Sequence, residues 1–245
     1  MRVLVPTDGT GVRVNELVLA QGLRDTRGAL RGWNLDPWPV LRDWFAGAFA
    51  VACALLFAVW GVAALTVADP TPLDVFGLTS RGDPGDVAAV LLRNSLVLAL
   101  HAVACVAGFI AGSSLPLSAA RRTGLSRWIH EKARPVAMCW VVLVTCFSLV
   151  TQAFALGLTG AQLAHQLEVT PGALVLTALP HALPELTALF LPLAAWTIAS
   201  RRGRWHDLLA ATFATVAVAV PILIAAATWE VYAWPQLLQA VSPGT

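Results

Sequence analysis

Five long apolar runs, separated by polar breaks, set the pattern of this 245-residue chain. They cover roughly residues 45–67, 87–115, 136–158, 173–196 and 208–230. Each reaches the roughly 20 residues that a helix needs to cross the hydrocarbon core of a bilayer. The predicted fold class is therefore all-α, a polytopic integral membrane bundle of five transmembrane helices. The second run exceeds the necessary length, so its first turns, with Arg93 and Asn94, are expected in the interface before the helix enters the membrane.

The polar stretches differ in sign. Residues 1–43 are mixed in charge, with Val14, Leu17, Val18, Leu23 and Leu30 at roughly helical spacing and Arg24, Arg27 and Arg31 between them. This predicts a short amphipathic helix on the membrane surface. Residues 34–39 read as a turn, flanked by Trp33, Trp38 and Trp44 as interfacial anchors. The break at 68–86 carries Asp69, Asp74, Asp83 and Asp86 against Arg81, whereas 117–135 forms a basic loop with Arg121, Arg122, Arg127, Lys132 and Arg134 against Glu131. The break at 159–172 has no Lys or Arg, and the fourth run ends at Arg201, Arg202 and Arg204. With the N-terminus inside, all but Arg81 and Arg93 of the 16 Lys and Arg fall on the cytoplasmic side. The positive-inside rule then predicts N-terminus in and C-terminus out. Trp229, Tyr232 and Trp234 read as an aromatic belt at the final exit, and 236–245 as an extracytoplasmic tail. The expected organisation is a cytoplasmic segment (1–43), a membrane domain (44–235) and that tail.

Composition agrees: 58% of residues are hydrophobic, 12% are charged, and the mean hydropathy is +0.72. The first apolar run begins only after a hydrophilic segment, so it is read as a retained span and not a cleaved signal. Cys53, Cys105, Cys139 and Cys146 all lie inside apolar runs. No metal-ligand spacing or disulfide is expected of them. The basic residues are those expected beside an inner leaflet, where they set topology and meet anionic lipid. They give no ground for nucleic-acid binding.

Chemistry concentrates in the fourth run. His181 and Glu185 stand four residues apart and share one helix face, flanked by Pro180 and Pro184. An acidic side chain at the centre of a membrane helix costs about 2.5 to 3.5 kcal/mol on insertion scales, so chains seldom keep one without a partner or a use. Each proline also removes a backbone N–H, which predicts a bent or broken fourth helix. Glu230 near the end of the fifth run, His101, and Asn94 complete a candidate intramembrane polar cluster; Pro221 predicts a further kink. Such a cluster locks helices together, or forms a binding or proton-linked site as in transporters with interrupted spans. His181 and Glu185 alone supply too few ligands for a catalytic zinc. There is no HExxH, GxSxG or nucleotide-binding fingerprint, so neither enzymatic activity nor a cofactor is expected. Gly108 and Gly112 form a GxxxG with Ala104 four residues earlier, a small-residue ridge that lets another helix approach.

Residues 179–185 (Leu-Pro-His-Ala-Leu-Pro-Glu), followed by Ala226-Ala-Thr-Trp-Glu230 and Pro235, resemble the stage II sporulation protein M family. That family carries a Pro-His-Gly-x-x-Glu stretch in a late span, and a small-residue run ending in Glu before a Pro in its last one. Asn94 and the glycine ridge are also similar. Ala182 stands where the family has Gly, and a long basic loop follows the second span in place of Asn-Gly. The resemblance covers about 44–235 and implies a non-enzymatic membrane component of a bacterial plasma-membrane assembly. Such a component anchors peptidoglycan-degrading wall hydrolases. Other members imply a membrane subunit beside a transport ATPase, for export, maturation or immunity toward a peptide or lipid-like substrate. Self-association into a homo-oligomer is compatible with either reading.

Overall fold

The computed structural model describes residues 11–73, 82–114 and 124–242; side chains are described over 22–73, 82–112, 135–136 and 138–242. The described residues are helical or connecting, with no strand. The α-helices are α1 (Gly11–Leu35), α2 (Trp38–Leu65), α3 (Pro84–Phe109), α4 (Gly124–Gln166), α5 (Pro171–Arg202), α6 (Leu208–Tyr232) and α7 (Trp234–Val241). A π-helical turn, Ile110–Ser114, extends α3, and a 3₁₀ turn, Trp205–Asp207, precedes α6. Five segments, one each in α2 to α6, are long and apolar enough to cross a membrane, so the chain is a multi-pass membrane protein.

Local chemistry sets the helix ends. Asp83 caps α3 by accepting from the backbone N–H groups of Gly85 and Asp86, while the Asp86 carboxylate accepts from the Asp83 N–H at 2.9 Å. This reciprocal pair, with Pro84 in the first turn, is a strong start signal. Thr170 caps α5 by accepting from Ala173, ahead of Pro171. Gly203 ends α5 at φ +68°, a left-handed conformation that glycine adopts without a Cβ clash.

Several boundaries differ from the sequence expectation. The supposed basic loop is helical from Gly124 onward, with Pro135 inside α4; Arg127, Lys132 and Arg134 lie on that helix, while Arg121 and Arg122, like Asp74 and Arg81, lie outside the described residues. α4 also runs on to Gln166, leaving a short connection to α5. α5 is not broken at Pro180 or Pro184: it is one α-helix containing Pro180, Pro184 and Pro192. A proline removes one rung of the hydrogen-bond ladder, and packing on both sides holds the flanking turns in line. Pro221 likewise sits inside a continuous α6. The expected tail forms α7, whose Leu238 is fully buried against Leu163, Ala164 and Leu174.

α5 is the hub, packing against α2, α3 and α6. Its residues from Glu185 to Trp196 are all buried, and its apolar window is 50% buried against 17% for α4, which lies at the periphery. α4 rests mainly on α2. A Cβ on Gly157 would stand 2.5 Å from Val62 Cβ and 3.0 Å from the Val59 carbonyl oxygen, so only glycine permits this crossing. The GxxxG ridge has a different task. The space a Cβ would take at Gly108 holds the Trp196 indole, and at Gly112 it holds the Trp205 ring. Those glycines seat indole side chains and do not form a helix-to-helix backbone contact; Ala104 is half-buried against the core beside them.

Candidate functional site

Polar groups from three helices converge in the half of the bundle that contains the start of α3, the start of α5 and the end of α6. Glu185 lies 14 residues into α5, about 21 Å along its axis at 1.5 Å per residue. It is 8% exposed, and the polar groups acting on its carboxyl are Glu230 of α6 and Arg93 and Asn94 of α3. Arg93 Nη2 stands 3.6 Å from Glu230 Oε1; the Glu230 side chain is 20% exposed and that of Arg93 is 62% exposed. The guanidinium, largely exposed at the protein surface, thus approaches the mostly buried Glu230 carboxyl along its apolar stem. Asn94 is buried, and its Nδ2 makes no hydrogen bond of good geometry.

The site holds two carboxyl groups and one guanidinium in surroundings poor in water. Charges taken out of water are tolerated when each finds an opposite partner or is neutralised. Arg93 pairs with Glu230 and so ties α3 to α6, which pack directly on each other, and its charge also acts on Glu185 of the adjoining α5. Among the described residues, no three His, Cys, Asp or Glu side chains come together as a metal-holding group.

His181 is near the cluster in sequence but has a different partner. No hydrogen bond or ion pair joins it to Glu185, and its Nδ1 has no partner. Its ring instead lies 5.2 Å from the Trp234 ring at the start of α7. Trp234 Nε1 donates to Thr177 Oγ1 at 3.4 Å, one turn before His181 on α5. The expected His–Glu pair is thus replaced by a His–Trp contact that fastens α7 over α5. An i, i+4 spacing fixes which face two residues share, but α7 and α3 meet different parts of that face.

His101 does not join the cluster either. It is 1% exposed, seven residues beyond Asn94 on α3, and its ring packs edge-on against Phe190 with centroids 5.3 Å apart. The backbone of Val97 and Leu189 bears on its ring, yet neither ring nitrogen makes a hydrogen bond of good geometry. Four residues further along, Cys105 Sγ donates to the Pro192 carbonyl at 3.0 Å.

At the opposite end, Arg202 donates to Asp43 at 2.7 Å, joining the end of α5 to the start of α2. Arg204 pairs with Asp207 through both Nε (2.6 Å) and Nη2 (2.5 Å). Arg201 is exposed and makes neither kind of contact with any described residue.

From sequence alone Arg93 reads as an interfacial charge and Trp234 as part of an aromatic belt. Arg93 could have been singled out as the one Lys or Arg inside an apolar run, in a chain where two other runs each hold an acid. Trp234 gave no such signal, because its role depends on how α7 folds back. Compared with protein families, curated proteins and solved structures, the chain matches none.

Proposed function

We propose that this chain is a non-enzymatic, multi-pass component of a protein assembly in a bacterial plasma membrane, a scaffold or anchor for partners that remodel the cell envelope. The observation that carries the non-transporting part is the packing of α5, which is continuous through its prolines and has every residue from Glu185 to Trp196 buried. A transporter of the broken-helix kind places unwound backbone at its binding site. Here the polar groups cross-link three continuous helices, which suits a fixed platform. The cell-envelope setting rests on the resemblance of residues 179–185 and 226–235 to the stage II sporulation protein M family. An N-terminus on the cytoplasmic side rests on the distribution of Lys and Arg.

In this reading Glu185, Glu230, Arg93 and Asn94 hold the platform's shape, and His181 with Trp234 holds α7 in the conformation a partner meets. The test is affinity purification of the full chain in mild detergent from its native cells after crosslinking. Recovery of a wall hydrolase supports the scaffold; recovery of a transport ATPase supports the rival reading of an export, maturation or immunity subunit. Unchanged partner recovery and melting temperature in both Glu185→Gln and His181→Ala would overturn the assigned role of the cluster.

A further inference from the structure

α2 and α4 touch closely at Val62 and Gly157, near one face of the membrane. Fifteen residues away on each helix, about 22 Å at helical rise, the two have parted around Gly47 and Val142. The wedge between them is floored by α5 at Leu193 and Thr197 and holds about 330 Å³. Its walls are mainly apolar, and Val142 and Cys146 on α4 are themselves exposed, so it opens sideways where lipid tails would lie. Arg201 lines it at the end of α5.

The charge at that end is specific. Of the three arginines at and just beyond the end of α5, Arg202 is engaged by Asp43 and Arg204 by Asp207, whereas Arg201 pairs with no described residue and is the cation left to meet a ligand. From Leu193 to Arg201 is eight residues, about 12 Å of helix. An occupant must therefore present an anion at the membrane surface and an apolar chain directly beneath it. We propose that this wedge is a binding site for one anionic phospholipid, its phosphate on Arg201 and an acyl chain lying between α2 and α4 on the floor of α5. A partner helix would meet both demands only by carrying an acid at that one position, a soluble anion would leave the wedge empty, and an anionic phospholipid joins the two parts in one molecule. The site stands independently of the assembly reading above.

The experiment is native mass spectrometry of the full chain in mild detergent, titrated with phosphatidylglycerol or phosphatidylcholine. One phosphatidylglycerol is retained in preference to phosphatidylcholine, and excess inorganic phosphate does not displace it. Arg201→Ala weakens retention about fivefold, the worth of roughly 1 kcal/mol for one basic residue beside an anionic headgroup. Arg201→Lys keeps most of it, and Arg202→Ala leaves it in place. Cys146→Trp fills the wedge from its lipid-exposed wall and abolishes the adduct at an unchanged melting temperature; Val142→Trp serves if that variant does not fold. Equal retention of the two lipids, displacement by phosphate alone, full retention in Arg201→Ala, or a protein dimer in place of the lipid adduct overturns the proposal.

Discussion

Arg93 on α3 reaches to within 3.6 Å of Glu230 on α6, although 137 residues separate them in the chain. That guanidinium also bears on Glu185 of α5, so one partly exposed cation serves two carboxyl groups. Removing it leaves both acids without a cation among the described residues. Arg93→Ala is expected to lower stability in detergent by about 1 kcal/mol, a modest value because solvent already screens the exposed half of the pair. Glu185→Gln added to Arg93→Ala recovers part of the loss, since one fewer carboxyl needs compensation. A double-mutant cycle on melting temperature checks this; strictly additive effects would show that the two residues are not coupled.

Close packing at two glycines gives a second expectation. Gly157→Ala forces α4 away from the Val59 carbonyl, and Gly112→Ala drives a methyl into the Trp205 ring. Overpacking of this kind costs about 1 to 3 kcal/mol. The two variants separate by rescue. Trp205→Ala relieves most of Gly112→Ala because it removes the ring carbons nearest the new methyl, whereas Val62→Ala relieves little of Gly157→Ala because the Val62 Cβ and the Val59 carbonyl both remain in the way. Thermal unfolding followed by circular dichroism measures all four.

The third concerns α7, which is held by the His181–Trp234 contact and by Leu238. Leu238→Ala is expected to cost about 2 to 5 kcal/mol for a fully buried leucine. His181→Ala releases α7 locally, so limited proteolysis cuts near residue 233 while the five long helices stay protected. Cleavage that begins inside those helices instead would contradict the local role of this contact.

Outside the spans, Asp69 accepts from both the N–H and the hydroxyl of Thr71, and these bonds hold its carboxyl below the usual aspartate range. A depressed folded pKa contributes stability above the unfolded value and loses it as pH falls through the folded one. The turn is thus intact at neutral pH and loosens only in acid, below about pH 4. Faster amide exchange at Thr71 under those conditions, after correction for intrinsic pH dependence, is the expected signature. Asp69→Asn removes the pH dependence while keeping an acceptor for the turn.

The five crossings were legible from composition and run length alone, because a bilayer demands continuous apolar stretches and satisfied backbone wherever they fall. Glu185 and Glu230 were legible for the same reason: an acid inside such a stretch stands out by its cost. The sequence could not tell which cation would answer them, since Arg93 looks interfacial until α3 packs beside α5 and α6. It suggested a break at Pro180 and Pro184, because proline's local preference is unambiguous; neighbouring helices override that preference by holding both flanking turns in place. The glycine ridge was visible, but whether it would face a helix backbone or an indole depended on where α5 set Trp196 and where the 3₁₀ turn set Trp205. Sequence alone thus determined what must enter the membrane and which side chains are costly there. Only the tertiary structure decided their partners, because pairing depends on distances between helices that no spacing along one helix encodes.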